Sequence, residues 1–322
     1  MFRSKSLVGI SLTGGLGNQL FQLAAALNVA KSSKVLIFSG YGKPRLSKYQ
    51  EAEIFSLLED QEWFQKYERN GSWVATKSLG YILRMGVNPK RWEKGIVKHL
   101  ITLMANAVMS IDLRMRIKIC AGSGVGYFHL RPRSGNTLLA GYFQSYQWVS
   151  ADQVYEKFFS IKPKGINPEY EALKILAKDR SPLVIHIRLG DYLKEELFGI
   201  PSADYYKNAI SKMSQIARFD EIWVFSDSVE KAKEMFDLNL PKNVRWFGEV
   251  DNSTASTFQS MRLGSAYIIG NSTFSWWAAF LSFKREVPVI APKPWFLGME
   301  DPTDLIPKSW STLDAGYQRG YS

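Results

Sequence analysis

One cysteine in 322 residues, Cys120, leaves the chain no intramolecular disulfide framework and fits a reducing compartment. No charge-free apolar run reaches the roughly 18 residues that a membrane-crossing helix needs. The apolar stretch Leu7–Leu12 is too short, and too soon interrupted by glycine, for a secretory signal. A cytoplasmic location is therefore expected. No H-x-x-x-H, C-x-x-C or D-x-D sequence offers a metal site, so neither a metal nor another cofactor is expected. Two nucleotide fingerprints are also missing. Gly15 and Gly17 begin a G-x-G-x-x-G pattern that Leu20 breaks, and Gly42-Lys43 lacks the rest of a P-loop.

Acidic residues are scarce in one half only. Residues 1–150 hold 20 Lys+Arg against 8 Asp+Glu, whereas 151–322 hold 21 against 22, which together give the net +11. Within 63–133 the counts are 13 and 3, a local +10. Two readings of this stretch stand side by side. It is a helical insertion packed on the first domain with solvated charges, or it is a face drawn to an anionic membrane. In the second reading Trp73, Trp92 and the Leu100–Met109 run supply the apolar contact, and the protein sits peripherally on the inner face of the cell membrane. A nucleic-acid partner is not expected.

With 46% hydrophobic and 22% charged residues, the chain has material for two globular domains. Ile161–Pro168, with two prolines and a glycine, reads as the linker between a domain over 1–160 and one over 161–322, the tail of the latter packing back on the first. In the first domain, strands are expected at Leu7–Leu12 and Lys34–Phe38, and helices over 20–30 and 50–69. Ile111 to Ile119 alternates apolar and charged residues, which predicts a half-exposed strand, with a helix end as the alternative. In the second domain, strands Leu183–Ile187, Glu221–Phe225, Val244–Phe247, Ala266–Ile269 and a last one at Val287–Ala291 alternate with helices. That alternation predicts parallel, doubly wound sheets.

Three of these strands run into polar loops, and the carboxyl ends of parallel strands are where ligands bind. His186 and Arg188 fall on one face of the first, with Gly190 and Asp191 beyond. Arg188 is a planar donor fork suited to a phosphate, or the partner of Asp191 in an ion pair that holds the loop. Ser226 and Asp227 close the second strand, where Asp227 accepts from a ribose or a guanine edge, or caps the next helix. After the third come Asn271, Ser272 and Thr273, a phosphate cradle or a plain N-cap. Phe274 is placed to stack on a base or sugar, and Trp276 and Trp277 read as core. Near the start, Gly14–Gln19 is a glycine loop opening a helix, where Asn18 and Gln19 are more polar than a tight turn requires.

The order of these motifs carries a resemblance. His186-Ile-Arg-Leu-Gly-Asp-Tyr192 resembles the HxRRxDY motif of fucosyltransferases, with Leu189 where a second arginine is common. Together with Gly14-Gly-Leu-Gly-Asn-Gln19 and Asn271-Ser-Thr-Phe-Ser-Trp-Trp277, it makes the chain similar to α-1,2-fucosyltransferases of glycosyltransferase family 11 over nearly its full length. Leu138–Ser145 is similar to the family's GYWQS element.

The resemblance implies a GT-B-like α/β architecture, two Rossmann-type doubly wound domains facing a cleft, with the nucleotide in the C-terminal domain and the acceptor largely on the N-terminal one. It implies GDP-β-L-fucose as donor and inverting transfer to O-2 of a galactose in an oligosaccharide or lipid-linked glycan. Arg188, Asp191 and Asn18 are the catalytic candidates. Gly15, Gly17, His186, Arg188, Ser226, Asp227, Asn271, Ser272, Thr273 and Phe274 are the donor-binding candidates. Glu195 and Glu196 rival Asp191 as general base. A transferase forming another linkage, or a non-catalytic protein binding a nucleotide sugar or glycan, remains the alternative.

Overall fold

In the computed structural model, every strand pair among the described residues is parallel. The structure describes residues 7–31, 34–38, 54–55, 57–58, 61–67, 72–87, 95–122, 124–130, 135–149, 152–161, 168–194, 198–236 and 243–317. They form two units, residues 1–158 with Pro302–Leu305, and Phe159–Asp301 with 306–322. Most of the expected linker, 162–167, lies outside the described residues.

Among the described residues the first unit is built on five strands: β1 (Val8–Ser11), β2 (Val35–Phe38), β3 (Phe64–Tyr67), β4 (Ile117–Ala121) and β5 (Asn136–Ala140). Their order across the sheet is β3-β2-β1-β5-β4. β1 and β2 are buried throughout, as a parallel strand covered on both faces must be. The helix Leu16–Ala30 returns the chain from β1 to β2 and is itself almost wholly buried. Because β1 lies between β2 and β5, the strand order reverses beside it. A crevice opens at the carboxyl ends of strands at such a reversal.

Two helices, Trp73–Val87 and Gly95–Leu113, connect β3 to β4. Ser72 Oγ accepts the Ala75 amide at the start of the first. The Ser72 amide donates to Asp112 Oδ1 near the end of the second, which sets the helices antiparallel. Ala75, Leu79, Ile82 and Leu83 of one and Ala105, Met109 and Leu113 of the other pack with Leu36, Phe38, Ile117, Ile119 and Leu138 of the sheet. Burying each large apolar side chain contributes about 1.5–3 kcal/mol.

Three expectations are corrected here. The run 50–69 is not one helix, since Phe64–Tyr67 pairs with β2 in parallel register and the described helical residues are 54–55 and 57–58. Residues 111–119 are not one strand. The helix continues to Leu113, and the strand begins only at Ile117, where Ser110 Oγ and Asn106 Oδ1 accept the Ile117 and Ile119 amides. Residues 63–133 are therefore not an insertion beside the sheet, because both of its edge strands lie within them.

Among the described residues the second unit has six strands: β6 (Leu183–Ile187), β7 (Ile222–Ser226), β8 (Val244–Phe247), β9 (Ala266–Ile268), β10 (Val289–Lys293) and β11 (Ser311–Asp314). Their order, β11-β10-β9-β6-β7-β8, is the dinucleotide-binding arrangement in which the first and fourth strands of the unit adjoin at the switch point. β11 lies beyond Val287–Ala291, so the expected last strand is the last but one. β6 is central and fully buried, with Leu183, Ile185 and Ile187 in a core completed by Tyr205, Tyr206, Met213, Val224 and Ile268. Trp276 and Trp277 are fully buried core residues. Arg262, also fully buried, donates to the carbonyls of Phe159, Ile161 and Leu281, which fixes the segment entering this unit.

Candidate functional site

The sheet order sets β9, β6 and β7 side by side, so the three polar exits expected from the sequence lie along one edge. They are tied together. The Gly270 amide donates to the His186 carbonyl at 3.1 Å, the Tyr206 hydroxyl donates to the same oxygen at 3.2 Å, and the Tyr192 hydroxyl donates to the Asn271 carbonyl at 3.2 Å.

Arg188 leaves β6 between two carboxylates. Its Nη1 lies 3.1 Å from Asp227 Oδ2, while Nε and Nη2 donate to Asp191 Oδ1 at 3.2 and 2.8 Å. Burial works to lower the guanidinium, but Asp227 and then Asp191 outweigh it and hold it above its ordinary value. The two partners differ in exposure: the Asp191 side chain is 61% exposed and Asp227 only 23%. Asp227 has a second tie, its Oδ1 accepting the Leu189 amide at 2.9 Å. Gly190 is needed for this arrangement, because a Cβ there would collide with Asp227 Oδ2. Asp227 thus neither caps the following helix nor stands free. It is the anchor of the Arg188 loop.

His186 is buried behind Arg188, 6.1 Å from the Phe274 ring between centroids. Burial pushes it down to about 4, opposed by Asp227 and reinforced by Arg188, so the imidazole is neutral at ordinary pH. Its Nδ1 has no hydrogen-bond partner among the described residues.

The loop after β9 divides its tasks. Asn271 is buried and donates to the Phe198 and Gly199 carbonyls at 2.8 and 3.1 Å, holding the segment beyond the Arg188 loop. Ser272 Oγ accepts the Phe274 amide at 3.3 Å and caps the helix Thr273–Phe280. Thr273 and Phe274 are half-buried. Ser226 is buried, its hydroxyl accepting the Ser228 amide, so it shapes the turn after β7. Glu195 and Glu196 lie outside the described residues.

Gly15, Gly17 and Asn18 are not part of this cluster. They belong to the first unit and stand at its own switch point, where β1 and β5 end. Gly15 is the N-cap of the helix Leu16–Ala30, with no side-chain cap and no acid in the first turn. Its φ of −75° is ordinary and a Cβ would meet nothing within 4 Å, so neither backbone nor packing calls for glycine there. Gly14, at φ +78°, does need its conformational freedom.

Asn18 Oδ1 accepts from Gln144 Nε2 at 2.8 Å. Gln22 spans the same two loops, its Oε1 accepting the Thr13 amide and its Nε2 donating to the Gly141 carbonyl. Burial raises the Tyr142 hydroxyl, a hydrogen bond with Thr13 partly offsetting it. Gln144 Oε1 is buried without a partner among the described residues. Gln144 lies in the aromatic stretch Leu138–Ser145, and nothing in the sequence gives it a role of its own. The only signal was its polarity in an aromatic stretch.

Among the described residues no three His, Cys, Asp or Glu side chains are grouped as metal ligands.

Comparison with known proteins agrees with this layout. The family model described as Glycosyl transferase family 11 matches residues 7–298. The O-antigen biosynthesis glycosyltransferase WbnK of Escherichia coli is 25% identical over 317 residues, 94% of this chain and 99% of that protein. An alpha-1,2-colitosyltransferase of Escherichia coli is 26% identical over 324 residues, 96% of this chain and 99% of that one. Among solved structures, the ADP-heptose lps heptosyltransferase II of E. coli shares the fold at a TM-score of 0.50 with 9% identity, covering 98% of this chain and 93% of that one.

Proposed function

The chain belongs to glycosyl transferase family 11, and from that premise we propose that it transfers L-fucose from GDP-β-L-fucose, with inversion, to a glycan hydroxyl, O-2 of a galactose first of all. The observation that carries the donor side is Arg188, anchored by Asp227 at the switch point of a sheet in dinucleotide-binding order. Departure of GDP builds negative charge on the β-phosphate. Preorganised donors that meet it lower the barrier.

Asp227 fixes one edge of the guanidinium from a half-buried position. Asp191 covers the other edge from solvent, where a pair is weakly held. A diphosphate replaces Asp191 on the Nε and Nη2 edge. Once released, the Asp191 carboxylate is placed to take the proton of the acceptor hydroxyl. The Thr273 amide at the helix N-terminus adds a donor beside it. The protein's own cation and amide supply the counter-charge.

In the first unit, Asn18 and Gln144 present neutral amide groups, suited to the hydroxyls of a sugar, and the space beside Gly15, at the start of the same helix, is open. We assign this switch point to a galactose-containing oligosaccharide or lipid-linked glycan. A second reading of the donor is favoured by the colitosyl-transferring relative. Colitose is fucose without its 3-hydroxyl, so a fucose-type site needs few changes to take it.

The test is GDP release from GDP-fucose and from GDP-colitose, with and without a panel of galactosides, followed by linkage analysis of the product by NMR. Release that no galactoside stimulates overturns the transfer reading, and a product linked elsewhere than O-2 overturns the linkage.

A further inference from the structure

The two helices between β3 and β4 bury one face each and leave the other without a partner among the described residues. On Gly95–Leu113, the positions Leu100, Leu103, Met104, Ala107 and Ile111 recur at helical spacing and are all exposed, opposite the buried Ala105, Met109 and Leu113. This helix is therefore apolar on both sides, and its outer stripe holds no charge. The neighbouring Trp73–Val87 shows Trp73, Val74 and Tyr81 on its outer side. The Ser72–Asp112 hydrogen bond brings Trp73 and Ile111, 74% and 78% exposed, to the same end of the pair. Exposed apolar side chains that recur along one helix face mark an interaction site more often than a solvated face does.

Charge identifies the occupant. Lys77 lies on the outer stripe, 5.5 Å from the Trp73 ring centroid, and Arg114 and Arg116 are exposed just beyond Ile111. Across 72–122 the one acidic side chain among the described residues is Asp112, which holds the Ser72 amide. Apolar groups flanked at one end by cations, with tryptophan and tyrosine among them, match an interface of acyl chains below and anionic headgroups above. No helix of the described residues is long and apolar enough to cross a membrane, so contact at this face would be peripheral.

We propose that the outer face of these two helices docks on a bilayer bearing anionic lipid. The apolar stripe enters the headgroup boundary, and Lys77, Arg114 and Arg116 pair with lipid phosphates. This assignment does not depend on which sugar is transferred. Each basic residue near an anionic surface strengthens partitioning about fivefold at low salt, and the effect falls as salt rises.

The experiment is flotation of the full chain with vesicles of phosphatidylcholine alone and of phosphatidylcholine mixed with phosphatidylglycerol, across a salt series. Two double variants are run beside it, Leu103→Glu with Met104→Glu, and Lys77→Glu with Arg114→Glu. All four positions are exposed, and thermal melting verifies folding. The wild type is expected to float with the mixed vesicles and to be released as salt rises. Each double variant is expected to lose about tenfold or more of that binding. GDP release on a water-soluble galactoside should stay at the wild-type level in both. Equal flotation with both vesicle types, or undiminished binding by either variant, overturns the proposal. So does a wild-type dimer in light scattering that dissociates in the Leu103/Met104 variant, which would mean that a second copy covers this face.

Discussion

Asp227 holds Arg188 and, through the Leu189 amide, the backbone that carries it, with one carboxylate oxygen for each. Replacing it with asparagine keeps an acceptor for the amide but removes the charge that aims the guanidinium. Hydrogen bonds to charged groups contribute about 1.5–3 kcal/mol, so kcat/KM for Asp227→Asn should fall by roughly ten- to a hundredfold. Asp191→Asn should behave differently. Its exposed pair adds less than about 1 kcal/mol to stability, so the melting temperature hardly moves. Turnover nevertheless drops, because the variant lacks the carboxylate that takes the acceptor's proton. Wild-type turnover in Asp191→Asn would remove Asp191 from the chemistry.

Arg188→Lys retains a cation but loses the fork. The expected loss is roughly 3 kcal/mol of transition-state stabilisation, about two orders of magnitude in kcat. Leu189 offers no second guanidinium in this loop. Steady-state kinetics on a variant shown to be folded by thermal melting checks this, and near-normal turnover would dismiss the role.

His186 links stability to pH. Its folded value, about 4, lies below the usual 6.5 of the unfolded chain. The contribution of the neutral imidazole is therefore fully present above about pH 6.5 and is lost as pH falls towards 4. At pH 5 the loss amounts to roughly 2 kcal/mol. Urea unfolding between pH 7 and 5 should show it, and His186→Gln should flatten the slope over that window. An unchanged slope in the variant would mean that another group carries the acid sensitivity.

Two glycine-to-alanine substitutions should part company. At Gly190 the new methyl displaces Asp227, so both activity and stability fall. At Gly15 it meets open space, so stability stays within about 0.5 kcal/mol of wild type. If the open space in front of Gly15 receives a ligand, activity falls there alone. A fully active Gly15→Ala protein would empty that assignment.

Chelation should leave turnover intact. Activity measured after exhaustive treatment with EDTA is expected at the untreated level. Loss on chelation that Mg²⁺ or Mn²⁺ restores would mean that a metal ion takes part in turnover.

Much of the second unit was legible because its elements are punctuated. Each of β6, β7 and β9 is a short apolar run closed by glycine, serine, asparagine or aspartate. β11 was missed because Ser311–Asp314 has neither the length nor the apolar density of a central strand. It lies at the sheet edge, where only one neighbour is required. β3 was absorbed into a helix for a related reason, since nothing in 50–69 breaks the pattern and pairing with β2 alone makes Phe64–Tyr67 a strand. In the site, the individual residues stood out but their pairings did not. Arg188 and Asp191 are close in sequence, so that pair was foreseeable. Asp227 lies 38 residues beyond Leu189, and Gln144 lies 126 beyond Asn18. No local pattern records contacts over such separations. They depend on strand order, which the sequence leaves open.

The short segment Pro302–Leu305 constrains how such a protein can be reshuffled. It returns to the first unit after the second is nearly complete, and Asp304 there accepts from Ser145, Tyr146 and Gln147. A hybrid gene joined once, near residue 158, would bring one parent's 302–305 to the other parent's 145–147. Two of the three bonds there, from the Ser145 hydroxyl and the Tyr146 amide, go to the main-chain carbonyl of 304, which any residue supplies, and only Gln147 reaches the carboxylate. The side-chain match such a hybrid has to keep is therefore the single pair 147 and 304.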